Sequence, residues 1–246
     1  METKKPFELT SAALHIIAMA FMLCDHLWAT VVPGNDWLTC VGRLAYPLFA
    51  FMTVEGYFHT KNFKKYMLRL LFFAVLSELP FNLMAGGSLF YPIHQNVLWT
   101  FLIALLMVHW NHQTKDKAVW QRLAVAAASL IIGGLAGLLT MVDYHHGGVL
   151  MVLVFYFFRG KKWWCYAGQV LCLWYINAEM LGGFGYELFL FGQRFFLARQ
   201  TLALLALPFI WLYRGRRGHH SRVFQYCCYA FYPAHLLVLW ALGRVL

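Results

Sequence analysis

Charge is scarce in this chain. Only 12% of its 246 residues are charged, while 61% are hydrophobic and 18% aromatic. Soluble domains carry about 25% charged residues, and a globule of this size has too little interior to hide so much apolar surface. An ordinary soluble fold is therefore excluded, and lipid is the expected cover. CxxC pairs are also absent. Cys24, Cys165, Cys172, Cys227 and Cys228 lie in or beside apolar stretches, which argues against a disulfide framework and for buried thiols acting as small apolar groups. No repeat, low-complexity run or soluble insert interrupts the chain, so 1–246 reads as one domain. There is no glycine-rich phosphate loop; the GRG at 215 is short and basic, and suits lipid contact. A cleavable signal peptide is not expected, because the first apolar stretch is too long and lacks a small-residue cleavage site.

What the chain does have is a series of apolar runs of roughly 17–22 residues, the length a helix needs to cross hydrocarbon. They predict an all-α polytopic membrane protein with about nine spans, eight to ten being compatible. The spans read as 11–32, 37–58, 66–85, 96–111, 119–140, 146–160, 164–182, 193–213 and 224–243. The formal net charge is +10, and sixteen of the 20 basic residues fall on one side of this topology. They form five clusters: Lys4 and Lys5; Lys61, Lys64, Lys65 and Arg69; Lys115, Lys117 and Arg122; Arg159, Lys161 and Lys162; Arg214, Arg216, Arg217 and Arg222. The alternate loops around 33–36, 86–95, 141–147 and 183–192 contain no Lys or Arg. This positive-inside asymmetry predicts a cytoplasmic N-terminus in a cell inner membrane. Anionic lipid rather than nucleic acid is the partner such clusters imply.

The residues that carry chemistry are polar ones inside the spans. Asp25, Arg43, Glu55 and Glu78 each interrupt a lipid-compatible stretch. At about 2.5–3.5 kcal/mol apiece in mid-bilayer, four unpaired charges would cost on the order of 10 kcal/mol. They must pair, line a wet cavity or lie near an interface. Asp25 and His26 lie roughly 22 Å along the first span, toward the outer face, at a level shared by Arg43, Glu78, Asn82, Gln95, Asn96 and Asp143. Glu55, His59, Lys65 and Arg69 lie toward the cytoplasm. His15, Met19, Met22 and His26 share one helical face, which suggests a polar track, although the methionines alone read as packing. Tyr232 and His235 are three apart beside Pro233, and Glu55 and His59 are four apart. His145 and His146 adjoin Asp143, but neighbouring helical residues point about 100° apart, so no metal is expected there.

Six segments carry a resemblance to a known family. LHIIAMAFMLCDHLWATVVP at 14–33 and GRLAYPLFAFMTVEGYFHTKNFKKYMLRLLFFAVLSELPFNL at 42–83 resemble its two leading signatures. QNVLWTFLIALL at 95–106, DYHHGGVLMVLVFYFFR at 143–159, LYRGRRG at 212–218 and FYPAHLLVLWAL at 231–242 follow in order. Together they resemble the TraX family of membrane proteins over most of the chain. Trp28 and Tyr46 stand where glycine and phenylalanine are usual. The resemblance implies an acetyltransferase using acetyl-CoA, with the N-terminus of a pilus subunit as the archetypal acceptor. It also implies a distant kinship to membrane acyltransferases that depend on a histidine within a span.

Acyl transfer needs a base, oxyanion stabilisation and a grip on the CoA phosphates. His26 is the first candidate base and His235 the second. Asp25 points away from His26 on one helix, and so either serves His235 or pairs with Arg43. Arg43 or Tyr232 suits the oxyanion. Lys65 and Arg69 suit the CoA phosphates or, equally, a simple membrane anchor. Glu55, His59, Glu78, Asn82, Asn96 and Asp143 suit the acceptor side. The rival reading is a transporter or channel with a charged cavity, since buried acids and histidines serve either role; no inverted repeat supports it. A structural subunit would leave the buried charges without purpose.

Overall fold

The computed structural model describes residues 8–219 and 221–245; Lys4 and Lys5 lie outside them. The helices are α1 (Ser11–Thr30), α2 (Asp36–Gly42), α3 (Ala45–His59), α4 (Phe63–Gly86), α5 (Val97–Gln113), α6 (Val119–Leu139), α7 (His145–Phe157) and α8 (Trp163–Tyr175). A π-helical turn (Ile176–Met180) extends α8 into a hairpin of β1 (Gly185–Leu190) and β2 (Gln193–Ala198). A 3-10 segment (Arg199–Ala206), α9 (Leu207–Trp211) and α10 (Arg222–Val245) complete the chain.

Side chains set these boundaries. Oxygens of Thr10, Asn62 and Asn96 accept backbone N–H groups in the first turns of α1, α4 and α5, meeting donors a helix start leaves bare. Gly87, at φ 65°, closes α4 in the left-handed conformation that glycine adopts without strain. Pro47 has no N–H to offer the Arg43 carbonyl, and the helix breaks there into α2 and α3. The break leaves Arg43 at a helix junction inside the protein.

Among the described residues, five segments are long and apolar enough to cross a membrane: Ser11–Thr30, Asp36–His59, Phe63–Gly86, Val119–Leu139 and Val223–Val245. Their burial is inside out. Helix α6 buries Ser129, Gly133, Gly134 and Gly137 and exposes Ile131, Ile132, Leu135 and Leu138. Helix α4 buries Ser77 and Asn82 while Leu68, Phe72, Val75 and Leu79 face outward. Small and polar residues between helices, with aliphatic side chains outside, characterise a protein solvated by lipid. In the centre is α7, apolar and buried along most of its length between α3, α5, α6 and α8. Its 13 residues rise only ~20 Å, and the buried stretch runs from Gly147 to Phe155.

Most of the expected spans are helical, although only the five above are long and apolar enough to cross a membrane, and one is not a helix of that kind. Residues 193–213 are not a transmembrane helix but β2, the 3-10 segment and α9. Hydropathy alone misses the reason. Arg199 and Gln200 in this run are held by polar partners, Asp36 and Arg43 respectively, and α9, with Pro208 in its first turn, has only five residues. The all-α expectation is amended by this hairpin. The thiols also divide: Cys165 is buried, whereas Cys227 is exposed on α10.

Candidate functional site

Arg43 organises the first cluster. Its Nη2 lies 2.5 Å from Asp25 Oδ1 and donates to Thr39 Oγ1 at 2.9 Å; its Nη1 donates to Gln200 Oε1 at 3.1 Å. Thr39 in turn donates to the same Asp25 oxygen at 2.7 Å. Gln200 donates to Asn177 Oδ1 at 3.0 Å, and Asn177 to the Leu173 carbonyl at 2.7 Å. The π-helical turn that carries Asn177 brings it to this network, a common use of such turns. Asp25 therefore pairs with Arg43 and has no bond to His235. Close approach of α1 and α2 depends on Gly42, where a Cβ would stand 2.7 Å from Asp25 Oδ1 and 2.8 Å from its Cα.

The two candidate bases meet. His26 Nδ1 and His235 Nε2 are 2.7 Å apart, their rings within 5° of parallel. His235 Nδ1 lies 2.7 Å from the Phe231 carbonyl, which can only accept, so Nδ1 must carry the proton. In the neutral ring, Nε2 is then an acceptor, and His26 must donate from its own Nδ1. That leaves a lone pair on His26 Nε2, which has no hydrogen bond among the described residues. Tyr232 packs on His235 with ring centroids 5.8 Å apart.

A third group occupies the same level. Glu78 Oε2 accepts from Asn96 and, at 2.8 Å, from Trp99 Nε1, while its Oε1 and Asn82 Oδ1 are buried without a partner among the described residues. Asn82 donates weakly to the Leu89 carbonyl at 3.3 Å. Asp143 lies 3.3 Å from His94. The hydrogen bond to Asp143 raises the His94 pKa above its usual value, against an opposing effect of burial. Met141, Tyr144 and His145 adopt positive φ of 52°, 59° and 44°. Three such residues so close together are costly and are retained where their placement matters. Tyr144 stacks on Tyr46 at 4.1 Å, and the Tyr46 hydroxyl is buried without a partner among the described residues. Trp28 donates to Asp36 at 3.2 Å and lies under the Arg199 guanidinium.

On the side of the basic clusters, a cavity of about 470 Å³ opens between α1, α3, α4, α5 and α10. Lys61, Arg69, Arg217 and His219 line it, together with Glu55, His59 and His15. Farther in it is lined by Met19, Met22, Met52, Phe49 and Tyr232. The His15–Met19–Met22 stripe is therefore cavity wall, not only packing. Arg69 donates to Tyr229 at 3.0 Å and lies over the Tyr66 and Tyr229 rings. Lys65, expected beside it, is exposed and outside the cavity. Glu55 is paired with Arg159 at 2.6 Å and lies 3.8 Å from His59.

Sequence reasoning missed Thr39, Asn177, Gln200, His94, Trp99, Lys61 and Arg217. Asn177 and Gln200 were visible as amides in apolar surroundings. Thr39 is one turn before Arg43, a spacing that places a hydroxyl against the guanidinium.

These features define a helical membrane protein with a charged, hydrogen-bonded centre between its helices and a basic-mouthed cavity leading toward it. The family model described as TraX protein matches residues 10–243, and the chain belongs to the TraX family. It is also similar to a protein of Dichelobacter nodosus described as probable fimbrial assembly protein FimC, serogroup H1. The two are 28% identical over 255 residues, covering 94% of this chain and 95% of that one. No solved structure matches the chain.

Proposed function

We propose that this chain is a multi-pass inner-membrane acyltransferase with its N-terminus in the cytoplasm. It moves an acetyl group from cytosolic acetyl-CoA to an amine or hydroxyl at the membrane or its outer face. The observation that carries this reading is the ordered His26–His235 pair just beyond a cavity with a basic mouth. Lys61, Arg69 and Arg217 suit the phosphates of the donor, and the methionine- and aromatic-lined interior suits its uncharged arm. Tyr232 lines that cavity and touches His235, so the donor cavity adjoins the residue that orients the base.

In this reading His26 Nε2 takes the proton as the acceptor nitrogen or oxygen attacks the thioester carbonyl. Tyr232 or Arg43 stabilises the oxyanion. The carbon–sulfur bond then breaks, and the imidazolium returns its proton to the leaving thiolate. His235 holds the ring in the tautomer that leaves Nε2 free. Glu78, Asn82, Asn96 and Asp143 surround the acceptor side. The name of the D. nodosus relative makes a fimbrial or pilus component a natural acceptor to test first.

The test incubates membranes holding wild type or His26→Ala with acetyl-labelled acetyl-CoA and follows label into peptides, glycans and lipids. Label in one product that disappears with the variant is the expected result. No protein-dependent label, from folded protein with envelope acceptors present, overturns the reading and favours solute transport.

A further inference from the structure

The β1–β2 hairpin exposes much of its apolar surface. Phe184, Phe189, Phe195 and Phe196 are all more than half exposed, Leu188 is 39% exposed, and Phe191 at the tip is 100% exposed. Phe191 and Gly192 both have positive φ, as a two-residue hairpin turn requires. The register pairs Leu188 with Phe195 and Glu187 with Phe196. Leu188 and Phe195 thus project from one face of the ribbon, Phe189 and Phe196 from the other.

That geometry restricts what can cover it. A protein partner docked on one face would leave the other face and the tip in water. An apolar medium on all sides satisfies both faces at once, and lipid provides it. The backbone sets the depth. The sheet has two strands, so each outer edge presents unpaired N–H and C=O groups, which hydrocarbon does not tolerate. Headgroups and interfacial water can bond those edges while the rings reach toward the acyl chains. Glu187, Gln193 and Arg194 fit the same level, with Arg194 lying over the Phe189 ring, 5.3 Å from its centroid, as a cation does when its stem is in lipid and its head in water. The surroundings continue this boundary. Trp37, on the α2 helix whose Cys40 bonds Tyr186, and Trp174 and Tyr175, at the end of α8 shortly before β1, are exposed, and aromatic residues collect at membrane interfaces.

We propose that the hairpin lies in the headgroup–acyl boundary of the leaflet opposite the basic clusters, as an interfacial anchor built on lipid contact. Its base is fastened beside the Asp25–Arg43 pair. Tyr186 hydrogen-bonds Cys40 at 3.2 Å, and Arg199, directly after β2, lies 3.6 Å from Asp36 and over Trp28. The anchor therefore holds this side of the central polar cluster at the bilayer surface, where an acceptor carried in that leaflet would arrive.

The experiment places a photo-crosslinking phenylalanine analogue at position 191 of the full chain, in vesicles of phosphatidylcholine and phosphatidylglycerol. Adducts with phospholipid are expected at 191, and none at an equivalent label at Gly215 or Lys115 on the basic side that is shared with bulk water. A second measurement uses a spin label at Phe191→Cys in a variant whose native cysteines are replaced. Greater collision with oxygen than with a water-soluble nickel complex is expected. Dominant nickel access would place the tip in water and overturn the proposal. So would protection from both reagents with protein adducts, since that result means a protein partner or a second copy covers the hairpin. Neither readout depends on acyl transfer.

Discussion

Asp25 directs its carboxylate at Arg43, 2.5 Å away, although it is the sequence neighbour of His26. The imidazole is oriented instead by His235, which is fixed by the Phe231 carbonyl. The acid and the base on α1 thus belong to separate networks, one reaching the 3-10 segment through Gln200, the other reaching α10. Under the proposed function, removing the acid and removing the histidine partner should fail in different ways.

His26→Ala should lose ~10²–10⁴-fold in labelled-acetyl transfer, the usual worth of a positioned base. His235→Ala should lose roughly 10–100-fold, the scale on which an orienting partner acts. His235→Gln, which keeps an acceptor oxygen for His26 Nδ1, should recover part of that loss. Nitrogen NMR of labelled protein checks the cause: both rings should carry their proton on Nδ1. A loss in His235→Gln equal to that in His235→Ala would argue that the contact is only packing.

Gly42→Ala should destabilise the protein by about 1–3 kcal/mol, the usual cost of overpacking. The added methyl would meet the Asp25 backbone, at 2.8 Å from Cα, which cannot rotate away. Gly134→Ala is the control, because its nearest neighbour would be an ordinary 3.9 Å from the new carbon. Thermal unfolding in detergent reads both. Equal midpoints for the two variants would mean α1 and α2 can separate at little cost.

Much of this architecture was legible in the sequence because lipid imposes a simple rule on composition. Runs such as 119–140 and 224–243 match α6 and α10 closely, since each is long, apolar and bounded by polar residues. The segment 193–213 misled because length and hydropathy do not register whether a run's polar residues have partners elsewhere. Arg199 and Gln200 find theirs on α2 and at the α2–α3 junction. At the site, His26, His235, Asp25 and Arg43 were visible as charges or imidazoles in lipid-compatible stretches. The Asp25–Arg43 pairing was one of two the sequence left open, and the meeting of His26 with His235 was not legible, because it depends on how α1 and α10 cross. Lys65 and Arg69 share a helical face in the sequence, yet only Arg69 turns into the cavity. One turn of displacement toward the surface is enough to separate a lining residue from an exposed one.

His94 and Asp143 should make stability depend on pH. The folded-state pKa of His94 is raised by Asp143 above its ordinary value near 6.5. A group shifted upward stabilises fully below its unfolded value, and that contribution is lost as pH rises through the folded value. Unfolding midpoints should therefore fall from about pH 6.5 upward in wild type, and Asp143→Asn should flatten this part of the profile. Both side chains are partly exposed, so added salt should weaken the effect. A wild-type profile identical to that of Asp143→Asn would show that the pair does not form in solution.

Arg69 should govern donor binding more than turnover. Its guanidinium lies over Tyr66 and Tyr229 and donates to the Tyr229 hydroxyl, so its position is fixed before any ligand arrives. A charge-assisted hydrogen bond contributes about 1.5–3 kcal/mol, which corresponds to a rise of roughly 10–100-fold in KM for acetyl-CoA in Arg69→Ala. The kcat should change little, because Arg69 stands at the cavity mouth and the histidine pair beyond its inner end. Arg69→Lys should recover the charge without the planar stacking, and so only part of the affinity. Lys65→Ala, outside the cavity, should leave KM close to wild type. If Lys65→Ala raised KM as much as Arg69→Ala, the donor phosphates would have to bind on the exposed surface of α4 and the cavity would lose its assigned occupant.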